Sequence, residues 1–252
     1  MKKAYSKWFL TRVKRAIRDY EMIQDGDKVA VGASGGKDST ALLYILSLLK
    51  KHSHLNFELQ AITLDMGLGT DFSPLADFCA RENIPFHIEP TQIGRILFDI
   101  RKETNPCSLC SKLRHGTLNQ VALRLGCNKV ALGHHLDDAI ETFLLNIIFT
   151  GQLGTFKPST FLDRTGLTLI RPLIYLPQET VVSVGRHFYL PEIHNPCPAS
   201  GHTRRDSMRE LVRQLAGEYP DVKQKFLTAF HNIDFSNLWK QHRLPGETLW
   251  QE

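Results

Sequence analysis

The chain has 252 residues, 42% of them hydrophobic and 23% charged, with a formal net charge of +5. That is the composition of a folded protein long enough to bury a substantial core, and no apolar run approaches the ~20 residues that cross a bilayer. The opening Met-Lys-Lys-Ala-Tyr-Ser-Lys-Trp lacks the features of a secretory leader, and five cysteines are an odd number for a disulfide framework, so a cytoplasmic setting is expected.

The positive charge sits at one end. Residues 1–18 hold seven Lys or Arg and no acid, whereas the rest of the chain carries 24 basic and 26 acidic residues. Apolar positions 9, 13, 16, 17 and 20 repeat at helical spacing. This predicts an amphipathic helix whose cationic face holds Lys2, Lys3, Lys7, Arg12, Lys14, Arg15 and Arg18. Such a face suits a polyanion such as RNA; a merely solvated face and a membrane-surface helix are the alternatives.

Strands follow at 28–33, 57–64, 84–89, 128–132 and 167–171, where β-branched and aromatic residues gather, with helical patterns between them at 39–51, 72–82, 108–126 and 137–149. Strand alternating with helix predicts an α/β fold, a Rossmann-like parallel sheet with helices on both faces. Ligands of such sheets bind at the carboxyl ends of the strands. The stretch 151–166 reads as a mobile surface loop, and helices resume at 203–216 and 220–234. The expected organisation is a basic helix over 1–24, a nucleotide-binding domain over 25–190 and a C-terminal helical segment over 191–252.

The first strand runs into Ser34-Gly35-Gly36-Lys37-Asp38-Ser39 and then an apolar helix. Glycines that let the backbone approach a ligand, followed by the unpaired N–H groups of a helix start, make an anion site. A Walker A loop needs Ser or Thr directly after Gly-Lys, but Asp38 stands there. A dinucleotide fingerprint needs a glycine where Ser34 stands. The remaining pattern resembles the pyrophosphate loop of the PP-loop ATPases, which implies cleavage of ATP between its α and β phosphates.

Two further strand ends carry polar groups. The second strand closes on Leu64-Asp65-Met66-Gly67, where the resemblance implies that the backbone reads the adenine edge. The fourth runs into Gly133-His134-His135-Leu136-Asp137-Asp138, followed by Glu141-Thr142. Two carboxylates at a helix N-terminus can cap it, and they also suit Mg2+, which takes oxygen ligands and phosphates. This run resembles the second ATP-site motif of the same superfamily.

Cys107 and Cys110 lie three residues apart at the start of a predicted helix, a spacing that fits a redox pair, half of a zinc site or part of a cluster. Cys197 is flanked by prolines in a predicted loop, whereas Cys79 and Cys127 read as buried small hydrophobes. Three cysteines leave one metal position open.

Pro106-Cys107-Ser-Leu-Cys110-Ser-Lys-Leu-Arg114, Gly133-His-His-Leu-Asp-Asp138 and Ile170-Arg171-Pro172-Leu173, in that order behind the pyrophosphate loop, resemble the tRNA 2-thiocytidine synthetases (the TtcA family) over roughly residues 5–235. The resemblance implies ATP, Mg2+ and a 4Fe-4S cluster as cofactors, with Cys107, Cys110 and Cys197 as cluster ligands. It implies an ATP site at Ser34, Gly35, Gly36, Lys37, Asp38, Ser39, Asp65, Gly133, His134 and Asp137, with Asp38, Asp138 and Arg114 in catalysis. The substrate would be the cytidine at position 32 of a tRNA anticodon loop. Lys7, Arg12, Lys14, Arg15, Arg204, Arg205 and Arg209 would grip the RNA, and Arg114 would hold the base or a phosphate. A sulfur donor such as a cysteine desulfurase and a homodimer are the implied partners. Cys197 followed by Pro198-Ala199-Ser200, with arginines downstream, leans towards the related 2-thiouridine synthetases. The zinc knuckles usual at their chain ends have no counterpart cysteines before Cys79 or after Cys197. A PP-loop enzyme acting on a small molecule is a further alternative.

Overall fold

The computed structural model describes residues 7–103, 106–194, 196–199 and 203–238, so Lys2, Lys3 and Ser200 lie outside the described residues. Six strands form one sheet in the order β3-β2-β1-β4-β6-β5. They are β1 Lys28–Gly32, β2 Glu58–Asp65, β3 Phe86–Pro90, β4 Lys129–Ala131, β5 Ser159–Leu162 and β6 Leu167–Ile170. The chain winds outward from β1 through β2 to β3, then returns to the far side of β1 for β4, all in parallel. The crevice beyond the carboxyl ends of β1 and β4, where the winding reverses, is the position at which open α/β sheets bind ligands.

Both faces are covered, as strand periodicity demands. Val29, Val31, Ala61 and Ala131 turn to one face and pack with the helices α1 (Lys7–Asp19), α2 (Lys37–His52), α3 (Ser73–Glu82) and α7 (Gln178–His187). Ala30, Ile62 and Val130 turn to the other and meet Leu118, Val121 and Ala122 of α5 (Pro106–Arg124). The α2 helix is apolar nearly all round because it lies between sheet and outer helices, with Leu42, Leu43, Ile45, Leu46 and Leu49 buried. Each such side chain contributes about 1.5–3 kcal/mol relative to exposure. The basic helix α1 belongs to this same core through Phe9, Val13, Ala16 and Ile17.

The sheet is not wholly parallel. The expected mobile loop 151–166 contains β5, an edge strand paired antiparallel with β6 through a turn that ends at Gly166. The helix α7, the short helix α4 (Ile93–Arg95) and the π-helical turn Ile96–Ile100 also lie where no element was expected. The C-terminal helices α8 (Arg204–Glu218) and α9 (Val222–His231) pack on α6 (Leu136–Thr150), with Leu136, Ile140 and Val212 at the centre of that contact.

Candidate active site

The turn after β1 is held open from behind. Gly35 has φ +81°, and a Cβ there would lie 2.8 Å from the Ile193 side chain. Its carbonyl accepts the Ile193 N–H at 2.8 Å. Only glycine meets both demands without strain. Gly36 caps α2 with no side-chain bond to the first turn, which leaves those N–H groups for a ligand. Ser34 Oγ and Ser39 Oγ lie 3.1 Å apart beside them. Backbone donors and the positive end of a helix dipole together favour a phosphate. Lys37 folds onto Asp38, with Nζ 2.7 Å from each carboxylate oxygen.

The second motif touches the first. A Cβ on Gly133 would stand 3.0 Å from the Asp38 carbonyl carbon and 3.1 Å from the Ser39 nitrogen, so a side chain here would push the two motifs apart. His135 begins α6 in a capping box: the His135 N–H donates to Asp138 Oδ2 at 2.9 Å, and Asp138 N–H faces His135 Nδ1 at 3.4 Å. The other ring nitrogen of His135 is 3.7 Å from Asp38 Oδ1, so one buried imidazole bridges the two cavity carboxylates. Burial works against a charge on Asp138, yet His135, its N–H and Arg205 hold the carboxyl below the usual range. His134 is pushed down to about 4, chiefly by burial, and stays neutral at pH 7; its Nδ1 faces Arg171 Nε at 3.3 Å.

Asp137 points elsewhere. One oxygen accepts the Gln178 N–H at 2.7 Å at the start of α7, and the other meets Lys223 Nζ at 2.6 Å. Asp65 is likewise turned to the scaffold: Oδ1 accepts the Gly67 N–H at 2.9 Å, and its neighbours Leu64 and Met66 reach the crevice instead.

One cavity of about 520 Å³ collects the remaining pieces, bounded by Ser34, Asp38 and Ser39, by Gly133, His134 and Asp138, and by Cys107, Cys110, Arg114, Cys197 and Arg205. Burial pushes the Cys110 thiol up, Arg114 one turn along α5 counters it, and Cys197 and Cys107 add to the rise. Cys110 therefore feels both other thiols, although Cys197 is 87 residues away from it in sequence. Cys79, buried in apolar surroundings and pushed up to about 12, has no such role. Among the described residues no three His, Cys, Asp or Glu close around a single ion. A polynuclear cluster is held by thiolates set wider apart than the ligands of one ion, and three cysteines around one cavity fit that use.

The arginines divide. Arg205 and Arg209, expected on a phosphate-gripping surface, turn inward to the buried Glu141, with Nε atoms 3.2 and 3.3 Å from its two oxygens. Arg204 lies over the Phe149 ring, 4.5 Å from its centroid. On α1, Lys7, Arg12 and Lys14 are exposed, while Arg15 pairs with Asp19 at 3.2 Å. His135 and Glu141 belong to the second motif read from the sequence, which gave neither of them a role; here His135 reaches both cavity carboxylates and Glu141 holds the two arginines.

A backbone phosphate cradle at the reversal point of an α/β sheet, with carboxylates opposite, defines a nucleotide-binding enzyme of the α/β class. A PP-loop domain model matches residues 7–215, and the chain belongs to that family. It is 40% identical over 226 residues to the tRNA-cytidine(32) 2-sulfurtransferase of Geotalea uraniireducens, covering 88% of this chain and 90% of that one. The enzyme of the same name from Geobacter sulfurreducens is 38% identical, covering 88% of each. Among solved structures, the U34-tRNA thiolase NcsA of Methanococcus maripaludis, with its [4Fe-4S] cluster, matches with a TM-score of 0.72 and 27% identity over 88% of this chain and 78% of that one.

Proposed function

We propose that the chain is an ATP-dependent tRNA-cytidine 2-sulfurtransferase that converts cytidine 32 of the anticodon loop to 2-thiocytidine. The observation that carries this reading is the shared cavity: thiols of Cys107, Cys110 and Cys197 face the same space as the phosphate cradle and Asp138. The names borne by its relatives support the same substrate.

The first step is activation. With the triphosphate on the N–H groups of Gly35, Gly36 and the first turn of α2, the C2 oxygen of cytosine attacks the α phosphorus, and the bond to the bridging oxygen of pyrophosphate breaks. The cradle donors offset charge developing on the phosphates without reorganising. Asp38 and Asp138 would hold the Mg2+ that accompanies the triphosphate. Neutral His134 cannot repel the arriving cation. Sulfur at the sulfide level then attacks C2, and AMP leaves with the former C2 oxygen; persulfide sulfur from a donor such as a cysteine desulfurase reaches that level by two-electron reduction with a thiol.

A 4Fe-4S cluster on Cys107, Cys110 and Cys197 would supply an iron position that carries sulfur beside the base. Arg114 sits on the Cys110 side of the cavity, where it serves the thiol and the base edge together. The base reaches this depth only when unstacked, which an anticodon loop permits at low cost. Lys7, Arg12, Lys14 and Arg204 remain as the cationic grip. The enzyme works in the cytoplasm, as a homodimer like the family that the sequence resembles.

Deletion of the gene, followed by mass analysis of tRNA nucleosides, tests the assignment. Loss of 2-thiocytidine, restored by the intact gene and not by Cys197→Ala, is the expected result. Loss of 2-thiouridine instead would move the chain to the second reading, which the likeness to the U34 thiolase favours.

A further inference from the structure

Arg171 and His134 stand beyond the carboxyl ends of neighbouring strands. Ala131 of β4 pairs with Ile170 of β6, and the Leu132 N–H donates to the Ile170 carbonyl at 2.9 Å, so the two segments leave the sheet side by side. Arg171 is buried and held by the segment before β5. Its backbone N–H donates to the Pro158 carbonyl at 3.0 Å, and Nη1 donates to the Lys157 carbonyl at 2.6 Å. The guanidinium lies over the Phe156 ring, 4.9 Å from its centroid, and the same ring packs on His134 at 5.1 Å. So placed, Arg171 Nε donates to His134 Nδ1 at 3.3 Å.

That bond decides the tautomer. A guanidinium has only hydrogens to offer, so Nδ1 is the bare, accepting nitrogen, and the proton of the neutral ring sits on Nε2. Burial, together with the nearby Arg171 and Arg205 charges, keeps the ring neutral against the pull of Asp138. Among the described residues no buried side-chain nitrogen or oxygen lacks a partner. Nε2, which has none, therefore opens on the cavity that His134 lines. Arg171 has no carboxylate beside it among the described residues, and burial alone pulls its pKa down. Buried charges are ordinarily paired, and a polyphosphate in the cavity would bring the opposite charge close.

We propose that Arg171 is a positioning residue that fixes His134 as an Nε2–H donor to a phosphate oxygen of the bound nucleotide. This rests on the ATP-site reading above and deepens it, adding a neutral side-chain donor to the backbone donors of the cradle. The guanidinium polarises the imidazole through Nδ1, which strengthens the donor at Nε2. That donor meets the charge that grows on the phosphates as pyrophosphate departs, and a ring already neutral and aligned needs no reorganisation. Without Arg171 the imidazole divides between two tautomers, one of which turns a lone pair towards the phosphates.

Nitrogen NMR of the full chain labelled in histidine reads the tautomer directly. The His134 signals are identified by their loss in His134→Phe, near neutral pH and without nucleotide. The wild type is expected to carry the proton on Nε2 alone. In Arg171→Met, whose stem still packs on Phe156, the ring divides between both tautomers. Arg171→Lys, which keeps the charge but not the fork, restores part of the preference. Affinity for a non-hydrolysable ATP analogue with Mg2+ falls roughly tenfold in Arg171→Met and in His134→Phe, the loss of one hydrogen bond to a charged group, and no further in the double variant. A proton on Nδ1 in the wild type, or the wild-type tautomer unchanged in both Arg171 variants, overturns the positioning role; should Arg171→Met fail to fold, Arg171→Lys decides alone. Unchanged affinity in His134→Phe, or losses that add in the double variant, overturn it as well. In each of these failures the wild type still binds the analogue, whereas a wild type that binds none overturns the nucleotide reading and the proposal together.

Discussion

His134 and His135, and Asp137 and Asp138, are doublets of one residue type whose members do opposite work. Successive residues at a helix start point about 100° apart, since 3.6 residues complete a turn. One aspartate therefore faces the cavity and its neighbour faces α7 and Lys223. The composition of the doublet announced a site; which member served it depended on the rotation of α6, set by packing on α8 and α9. His134 gives a consequence that can be measured. It faces Asp138, Arg171, Arg205 and His115, and burial outweighs the favourable carboxylate, so its imidazole titrates at about 4 rather than 6.5. Between those values the unfolded chain binds the proton and the folded chain does not. The stability contributed is complete above 6.5, declines as pH falls, and is gone below 4. The loss amounts to at most about 3 kcal/mol. Urea denaturation of the nucleotide-free protein across that window should show the decline, and His134→Gln should flatten it. A wild-type profile already flat from 6.5 to 4 would show that the imidazole is not kept neutral by the fold.

Elements whose role is to bury one face were readable from the sequence; those held by polar joints were not. The helices α2, α5 and α6 and the strands β1 to β4 lie within about two residues of the segments expected from the sequence. In contrast, α7 reads Gln178-Glu-Thr-Val-Val-Ser-Val, whose β-branched residues argue against a helix, and only Val181 and Val184 are buried. What starts it is the Asp137 carboxylate on the Gln178 N–H, a bond across 41 residues that no local pattern reveals. The edge strand β5 was missed for a related reason: Ser159-Thr160-Phe161-Leu162 is half-buried and exists through pairing with β6. The Asp137 joint can be tested directly. Asp137→Ala removes the cap of α7 and strands Lys223, leaving it only Glu179 at 2.7 Å. Breaking a buried pair of this kind costs about 3–5 kcal/mol. Asp137→Asn keeps an acceptor for the Gln178 N–H and should cost less. Asp138→Asn should do the reverse, losing Mg2+-dependent ATP affinity with a stability cost of about 1 kcal/mol, that of a helix cap. If Asp137→Ala instead left stability intact and abolished Mg2+ dependence, the two aspartates would have to exchange roles.

Charge on the molecule is arranged so that the arginines nearest the cavity are paired with a buried carboxylate, whereas cations of α1, away from the cavity, face solvent. Arg205 and Arg209 pair with Glu141 and Arg213 pairs with Glu210, so three arginines of α8 already have carboxylate partners. The helix α1 does the opposite: its apolar side is sealed into the core while Lys7, Arg12 and Lys14 stay exposed. A sequence shows the number of arginines but not the buried carboxylate that claims them, and the place of Glu141 in the second motif did not reveal that it holds Arg205 and Arg209. If α1 is the tRNA grip, binding must release counterions from the phosphates that it neutralises. The slope of log affinity against log salt then reports how many contacts it makes, at roughly 0.7–0.9 per phosphate. Replacing Lys7, Arg12 and Lys14 together by alanine should lower that slope by about 2 to 3 and weaken binding most at low salt. ATP-analogue affinity should not change, because none of the three reaches the cavity. Each is a surface position, so stability should move by no more than about 0.5 kcal/mol per substitution. Filter binding of unmodified tRNA over a salt series gives the slopes. An unchanged slope in the triple variant would transfer the RNA-binding role from α1 to another face, with Arg204 over Phe149 the next place to probe.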